Sequence, residues 1–548
     1  MSAALAASGY SIRTVRRARA DVWLVRVAWT VIALSCVQVL LFGFGRDHGI
    51  YAVVGDSILA GKMPYRDAWD FKPPGIFLVF AFAEALFGKS MVSVRLVEVT
   101  ALVGIVLAFR RLGRALFGSA TAGLVGGALA VLVHTELEFW HTAQPEFFGG
   151  VLTVLALVLV TGRGVEAESR ARRATAWAAV GALFGAAFLF KPPLGGGAVA
   201  CAVYLGAAEY RRSRRIGSAL LPAIVAGLAS FVPIGLCALW FRARGAWPAL
   251  SWTMFEFTPG YTRLGWDDRT PAGLFFYGLK EGLTGFSYVI PPGLALAVLL
   301  PRSSPRERGG IALVTGIVLV QVVGIAMQAK FFQYHYSATL PLLSLVAGLG
   351  LHKAWRLATR VPVAGPLLYA AVLGVLVASR VSLRHNPGTF WERSLDRLRF
   401  LVLRSPSRDE LDAKLYHVVD YDLALDRRVA LEITRRTAPG DSIFIWGFDP
   451  HIYWFSGRSP ASRYLYDVPQ RAQWQRERAR DELMRDLRES RPRVVVVGHG
   501  DTFDFVTGDD LDSFDALETF PELATFIEDG YPLAETMGHL DIHVRRSP

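Results

Sequence analysis

Long apolar segments alternate with short clusters of arginine and lysine along the first two thirds of the chain. Each apolar segment has roughly 20 residues, which is the length that an α-helix needs to cross the hydrocarbon core of a bilayer. The region 381–548 contains no such segment and is rich in charged residues. We therefore predict a polytopic α-helical membrane domain at 1–380, followed by a soluble domain at 381–548.

The basic clusters also predict the topology, because arginine and lysine concentrate in the cytoplasmic loops of membrane proteins. The clusters placed on the cytoplasmic side are 13–26, 110–114, 163–173, 211–215, 302–308 and 353–360. About eleven spans result, at 22–44, 92–109, 119–138, 147–162, 175–190, 194–210, 216–241, 284–301, 310–329, 335–351 and 362–380. The N-terminus is then cytoplasmic, and the C-terminal domain lies outside the cytoplasmic (inner) membrane. The apolar segment 75–88 is too short to span and is predicted to be an interfacial or re-entrant helix.

Composition excludes other classes of protein. Of the 548 residues 52% are hydrophobic, and the formal net charge is +12. A basic chain can bind nucleic acid, but these arginines form no continuous stripe, so we predict no nucleic-acid partner. The three cysteines, Cys36, Cys201 and Cys237, lie inside apolar segments, and neither a disulfide framework nor a zinc spacing is visible.

The charged C-terminal region predicts a small α/β domain. The segments 441–447 and 493–498 have the apolar runs and flanking turn residues of short buried strands. Between them, 470–490 carries arginine and glutamate at helical spacing. A polar and aromatic group either binds glycan or forms a packed loop over the sheet; it comprises Trp446, Asp449, His451, Tyr453, Arg458 and Arg463.

Acids and bases are concentrated in the first outward loop, at 45–91. This loop contains RDHGIY at 46–51 and DAWDFKPPG at 67–75. A carboxylate at the boundary between water and lipid can take a proton from a substrate hydroxyl, and a nearby lysine can bind a lipid phosphate. Neither role is needed for folding, so this loop is the first candidate for a functional site.

The order and spacing of these residues resemble the GT-C glycosyltransferases. The features that carry the resemblance are Asp47-x-x-x-Tyr51 after the first span, Lys72-Pro73-Pro74 opening a helix that ends in LFG at 86–88, Arg95 at the next span, and the basic turn at 110–114. The most similar branch is the protein mannosyltransferase-like family 39 group, which includes aminoarabinose transferases and rhizobial lipopolysaccharide core transferases. The match is densest over 40–120 and extends loosely over 20–380.

This resemblance implies a membrane glycosyltransferase that uses a polyprenyl-phosphate sugar donor at the outer face of the membrane. The acceptor is a hydroxyl of a glycolipid, a polysaccharide or a protein, and the anomeric carbon is inverted in a single displacement. Asp47 is then the general base, and Lys72 binds the donor phosphate. From the residues alone, Asp47 is alternatively a helix cap or an ion-pair partner of Arg46, and Lys72 is a snorkelling anchor.

Seven further residues are candidates for the same site. Lys191 and Lys330 are candidates for binding the donor phosphate, and Tyr51, Asp70, Glu146, His335 and Tyr336 for binding substrate. Lys191 belongs to a second FKPP motif at 190–193, and the loop at 330–336 resembles the family loop that closes over the donor. Lysine and tyrosine also anchor helices at membrane interfaces, which is the structural alternative for both segments.

A divalent metal is an open alternative. Family members that bind one use a carboxylate immediately before the Lys-Pro motif and a distant histidine, but Phe71 occupies that position in this chain. Asp70, with His141 or Glu146, supplies the oxygen and imidazole ligands for a substitute site. No cofactor is therefore predicted with certainty.

Two other functional classes, and the role of one loop, remain open. A polyprenyl-lipid flippase is also polytopic, but no inverted repeat and no charged residues at span centres are visible in the sequence. A non-catalytic membrane scaffold leaves the arrangement of Asp47 and Lys72 unexplained. The outward loop at 255–280, which includes Tyr261, Asp267 and Asp268, either gates the acceptor or is merely interfacial.

Overall fold

The computed structural model describes residues 12–266, 269–300, 304–379 and 388–546. Asp267, Asp268 and the predicted domain boundary at 380/381 lie outside the described residues. The main helices of the first part are α1 Ile12–Leu40, α2 Arg46–Leu59, α3 Gly75–Phe87, α4 Met91–Phe117, α5 Ala120–Glu136, α6 Glu138–His141, α7 Pro145–Val160, α8 Arg163–Glu166, α9 Arg170–Phe188, α10 Gly197–Ser213, α11 Ile216–Ala243, α12 Trp247–Trp252, α13 Thr258–Arg263, α14 Pro271–Thr284, α15 Ile290–Leu299, α16 Pro305–Gln328, α17 Thr339–Ala358 and α18 Ala364–Ala378.

Within the described residues, five helical segments are long and apolar enough to cross a membrane. They are Asp21–Leu40, Met91–Phe117, Pro145–Glu166, Ile216–Ala243 and Pro305–Gln328. Four shorter apolar helices accompany them, at Gly75–Phe87, Ala120–Glu136, Ile290–Leu299 and Ala364–Ala378. The chain is therefore a multi-pass helical membrane protein, while the predicted number of eleven spans is not confirmed.

Glycines allow some of these helices to pack closely. A Cβ atom on Gly123 of α5 would lie 1.9 Å from the carbonyl oxygen of Phe109 on α4. A Cβ atom on Gly181 of α9 would lie 2.0 Å from the carbonyl oxygen of Ala226 on α11. Such contacts let helix backbones approach closely and pack together. Close packing matters in a bilayer, because lipid is as apolar as the helix surfaces and no hydrophobic effect drives the helices together.

The C-terminal part is an α/β unit built around a small sheet. Its elements are α19 Phe390–Leu403, α20 Arg408–Leu415, β1 His417–Val418, β2 Tyr421–Asp422, α21 Leu423–Arg436, β3 Ser442–Trp446, α22 His451–Ser456, β4 Ser459–Pro460, α23 Val468–Arg471, α24 Arg476–Ser490, β5 Val494–Gly498, α25 Asp504–Thr507, α26 Ser513–Ala516, α27 Pro521–Gly530, β6 Leu533–Met537 and β7 Leu540–Val544. The five-stranded sheet has the order β4-β3-β5-β7-β6. The β3 strand pairs in parallel with β4 and β5, and β7 runs antiparallel to β5 and β6.

Two of these strands match the predicted strands at 441–447 and 493–498. All five residues of β5 are buried, as its unbroken run of valines predicts. The helix predicted at 470–490 begins only at Arg476, because Val468–Arg471 forms a separate short helix. The strands β6 and β7 were not predicted from the sequence.

The C-terminal unit packs directly on the loop at 45–91. The backbone N–H of Trp69 donates to the carbonyl of Arg463 at 2.7 Å. Elsewhere, Arg393 and Arg397 of α19 both pair with the buried carboxylate of Glu138. The two parts therefore share one interface, and the candidate site lies at it.

Candidate active site

Asp47 lies in the first turn of α2, which begins at Arg46. A carboxylate at this end of a helix is stabilised by the partial positive charge of the unpaired backbone N–H groups. His48 fixes the same turn, since its Nδ1 accepts from the Gly45 N–H at 2.8 Å and its Nε2 donates to the Thr142 carbonyl at 2.7 Å. The Asp47 side chain keeps 20% exposure, so a small molecule can reach it.

Lys72 reaches Asp47 from the loop that precedes α3. Its Nζ lies 3.5 Å from Asp47 Oδ1 and 3.8 Å from Asp70 Oδ2. The Tyr65 hydroxyl donates to the Lys72 carbonyl at 2.7 Å and fixes the backbone there. Burial disfavours the ammonium charge, but Asp47, Asp70 and Glu146 outweigh this cost and raise the pKa of Lys72. The lysine is therefore a buried, permanently charged cation.

Asp70 is fully buried and is held by the C-terminal unit. The Tyr466 hydroxyl donates to Asp70 Oδ1 at 2.7 Å. Burial raises the pKa of the Asp70 carboxyl, although Lys72 and the Tyr466 hydrogen bond act in the opposite direction. Asp70 consequently helps to fix Lys72 without being exposed itself.

A second ion pair lies beside the first. Glu146, in the first turn of α7, lies 3.0 Å from Lys191 Nζ, which follows α9. His335 Nε2 is 3.7 Å from the same Glu146 oxygen. The His335 side chain is buried beside this ion pair. Both FKPP motifs thus place their lysines in one polar cluster.

Tyr51 connects Asp47 to α7. Its hydroxyl donates to Gln144 Oε1 at 2.9 Å and lies 3.5 Å from Asp47 Oδ2. The structure therefore brings together seven residues that the sequence singled out, namely Asp47, Tyr51, Asp70, Lys72, Glu146, Lys191 and His335.

Lys330 and Tyr336 lie outside this cluster. The Lys330 ammonium donates to the Phe505 carbonyl at 2.6 Å and sits 4.5 Å from the centre of the Tyr261 ring. Tyr261 in turn packs on Phe71, with ring centres 4.7 Å apart, so Lys330 borders the site through two aromatic rings. The Tyr336 hydroxyl instead donates to the Gly278 carbonyl at 3.1 Å, and its ring is fully buried.

Sequence reasoning missed Gln144 and Tyr466. Gln144 lies within HTAQPE at 141–146, two residues before Glu146, so its position was a usable signal. Tyr466 is 396 residues from Asp70 along the chain, and nothing local marks it as part of a site. The polar and aromatic group of the C-terminal unit is largely packed into its fold: Trp446 donates to the Ser513 carbonyl, and the Tyr453 hydroxyl accepts from the Ile445 N–H.

The candidate metal ligands do not form a metal site. Among the described residues, no group of three or more His, Cys, Asp or Glu side chains is arranged to hold a metal ion. Each candidate carboxylate instead faces an ammonium group, Asp70 that of Lys72 and Glu146 that of Lys191. These lysines already supply the positive charge that a cation would bring, so the residues present do not fit a metal.

The cluster can perform two chemical tasks at once. Asp47 is an accessible carboxylate that can accept a proton. The two lysines beside it can hold an anion and stabilise charge that develops on it. Their low exposure strengthens both effects, because electrostatic interactions are less screened away from water.

Part of the chain matches a known family profile. The sequence profile of the dolichyl-phosphate-mannose-protein mannosyltransferase family matches residues 71–236, a region that contains Lys72, Glu146 and Lys191 but not Asp47. No match was found among curated proteins.

Three solved structures from different organisms are similar to this chain. ArnT from Cupriavidus metallidurans, solved bound to undecaprenyl phosphate, is 15% identical with a TM-score of 0.51, over 96% of this chain and 98% of that one. An Archaeoglobus fulgidus oligosaccharyltransferase, in complex with Zn and sulfate, is 14% identical with a TM-score of 0.42, over 85% and 68%. The arabinofuranosyltransferase AftD from Mycobacteria is 14% identical with a TM-score of 0.41, over 95% and 40%.

Proposed function

Since the chain has the GT-C, protein mannosyltransferase-like fold, we propose that it transfers a sugar from a polyprenyl-phosphate donor to an acceptor hydroxyl. The observation that carries this proposal is the contact of Lys72 with Asp47, a cation for the donor phosphate beside a base for the acceptor. The undecaprenyl phosphate in the ArnT structure supports this donor class. The acceptor is a glycolipid, a polysaccharide or a protein.

In the proposed reaction the acceptor oxygen attacks the anomeric carbon while Asp47 takes its proton. The bond between that carbon and the phosphate oxygen breaks, and the electron pair leaves with the lipid phosphate. Lys72, with Lys191 behind it, stabilises the negative charge that accumulates on the departing phosphate. Attack from the side opposite the leaving group inverts the anomeric carbon in one step.

Lys330 is assigned a lesser part in this scheme. It contacts the Tyr261 ring, which packs on Phe71 next to Lys72, so it borders the proposed donor site. Tyr51 and Glu146 are assigned to orienting substrate hydroxyls, since both already lie among the charged groups. His335, which lies 3.7 Å from Glu146 Oε1, is assigned to hydrogen bonding with substrate.

We also propose the predicted topology, with eleven spans, a cytoplasmic N-terminus and a C-terminal domain outside the inner membrane. The hydrogen bond from Trp69 to Arg463 supports it, because the first outward loop and the C-terminal unit must lie on one side. The chain must then cross the membrane an even number of times between 75 and 388. The ten spans predicted from 92 to 380 meet this condition, and an additional crossing at 75–88 would violate it.

The decisive experiment compares wild type with Asp47→Asn in reconstituted membranes that contain a radiolabelled polyprenyl-phosphate sugar and candidate acceptors. Asp56→Asn is the matched control, because Asp56 lies on the same helix but pairs with the exposed Lys89. We expect Asp47→Asn to lose about 100-fold or more of the transfer rate, as removal of a general base does, and Asp56→Asn to lose none.

The alternatives give different results in this assay. Movement of the lipid across the bilayer without transfer of the sugar would establish a flippase. Binding of glycan that survives both Asp47→Asn and Lys72→Ala, without any transfer, would establish a scaffold. Equal transfer by wild type and Asp47→Asn would remove Asp47 from the mechanism.

A further inference from the structure

Arg46 and Asp47 are neighbours in the first turn of α2, yet they enter different environments. Consecutive residues of a helix point about 100° apart. Asp47 faces Lys72 in the candidate site. Arg46 points into the C-terminal unit, where its side chain keeps only 3% exposure. The residue before the proposed base is thus a buried cation whose ion pairs lie in the C-terminal unit.

The Arg46 guanidinium is held by carboxylates of the C-terminal unit. It forms an ion pair and a hydrogen bond with Asp420, and it lies 4.0 Å from Asp449 Oδ1. Burial opposes its charge, but Asp420 and Asp449 outweigh burial and raise the pKa of Arg46. The carboxylates therefore favour the charged form of Arg46.

Aromatic rings enclose the same guanidinium. Its central carbon lies 5.9 Å from the ring centre of Trp140, 5.6 Å from Tyr421, 5.1 Å from Phe448 and 4.7 Å from Phe503. Three of these four rings belong to the C-terminal unit. A planar guanidinium stacks on such rings, whereas a lysine ammonium fills the space less well.

Other contacts fix the backbone around this turn from the same side. The Tyr421 hydroxyl donates to the Phe44 carbonyl at 2.9 Å. A Cβ atom on Gly49 would lie 2.7 Å from the His451 ring, so the helix backbone is pressed against α22. The start of α2 therefore depends on the C-terminal unit for its position, although the two are nearly 400 residues apart in sequence.

We infer that Arg46 is a positioning residue, through which the C-terminal unit holds Asp47 in place for proton abstraction. This inference rests on the proposed function. A buried ion pair is by itself weak evidence of stabilisation, but one peptide bond separates this pair from the proposed base. A displacement of the reacting groups by about 1 Å costs roughly 100-fold in rate, so a turn released from Arg46 loses catalysis before it loses its fold.

The test uses the full-length protein with Arg46→Gln, Arg46→Lys and Asp420→Asn. We expect Arg46→Gln to lower kcat by roughly 10- to 100-fold while the KM for the donor changes little, because Lys72 and Lys191 are untouched. Arg46→Lys recovers part of this loss, since it keeps the charge but not the stacking. The Asp420→Asn substitution lowers kcat less in the Arg46→Gln variant than in wild type, because the two side chains act as one unit.

Arg436→Gln is the control for stability of the C-terminal unit. Arg436 pairs with Glu432 and Glu535 within that unit and does not touch α2. If kcat per folded molecule is unchanged in Arg46→Gln, or falls only as it does in Arg436→Gln, Arg46 is merely structural and the inference is overturned.

Amide hydrogen exchange of residues 46–49 supplies a readout that does not need activity. We expect faster exchange in this turn in Arg46→Gln and unchanged exchange in Arg436→Gln. Unchanged exchange in Arg46→Gln overturns the inference even if the wild type is active. Absence of sugar transfer by the wild type overturns the proposed function, while the exchange result still decides whether Arg46 holds the turn.

Discussion

The Lys72 ammonium lies 3.5 Å from Asp47 Oδ1, so the proposed base and the proposed phosphate-binding group neutralise each other before substrate arrives. A donor phosphate that binds Lys72 competes with Asp47 for this cation. In the proposed reaction, Asp47 would then be free to accept a proton only when the donor is in place. We propose that the contact couples donor binding to activation of the acceptor.

Replacement of Lys72 by glutamine tests this coupling. The carboxylates of Asp47 and Asp70 then lose their common cation, and the leaving phosphate loses its stabilising charge. We expect transfer to fall by about 100-fold or more, with weaker binding of polyprenyl phosphate measured directly. Lys62→Gln is the control, because Lys62 is an exposed lysine in the same loop; equal losses in the two variants would contradict a specific role for Lys72.

Removal of the Tyr466 hydroxyl tests the contribution of the C-terminal unit to the site. Tyr466→Phe keeps the ring but leaves Asp70 Oδ1 without its 2.7 Å donor. Loss of a hydrogen bond to a buried charged group costs about 1.5–3 kcal/mol, so we expect kcat to fall by roughly tenfold or more. Tyr464→Phe is the matched control, since its hydroxyl contacts Glu482 and Arg463 instead; no difference between the two would remove Tyr466 from the site.

These contacts also indicate which parts of the site a sequence can reveal. Asp47 and Lys72 lie in short motifs within one loop, and Lys191 repeats the Lys-Pro-Pro pattern, so local spacing identified them. Tyr466 and Arg463 reach the loop only because the C-terminal unit docks on it. No local pattern encodes that docking, since it depends on the packing of surfaces far apart in sequence.

The elements of the fold likewise differ in how well the local sequence predicts them. Strand β5 is a run of buried valines and was predicted, whereas β6 has a mostly exposed, mixed sequence that carries little periodic signal. Helix α9 begins with several arginines, so its apolar stretch is shorter than the helix itself. It nevertheless packs closely against α11. Helix length and apolar composition therefore identify fewer membrane spans than the alternation of apolar segments and basic clusters predicts.

Chelation of divalent metals tests the remaining alternative for the cofactor. Asp70 Oδ2 lies 3.8 Å from Lys72 Nζ, and Glu146 Oε1 lies 3.0 Å from Lys191 Nζ. Because a metal would have to displace these ammonium groups, we expect transfer by the purified protein to be unchanged by EDTA. Loss of transfer in EDTA, with recovery on addition of a single divalent cation, would establish a metal and require these side chains to rearrange.

Ser513 joins two buried carboxyl groups in the C-terminal unit. Its Oγ lies 2.6 Å from both Asp467 Oδ2 and Asp501 Oδ2. A hydroxyl has one proton to donate, so one of these carboxyl groups must itself carry a proton to complete both hydrogen bonds. Burial and the nearby charge of Asp467 raise the pKa of Asp501 to about 7, against the hydrogen bonds from Ser513.

This raised pKa predicts how the stability of the C-terminal unit depends on pH. In an unfolded chain the Asp501 carboxyl has a pKa of 3.8, so between about 4 and about 7 the folded state holds a proton that the unfolded state has released. The free energy of unfolding therefore increases as the pH falls from about 7 towards 4. Asp501→Asn, which mimics the protonated carboxyl, is expected to flatten this dependence and to stabilise the unit at pH above 7. Thermal unfolding followed by tryptophan fluorescence measures the effect, with the exposed Asp510→Asn as control; a steep dependence retained in Asp501→Asn would assign the proton to another group.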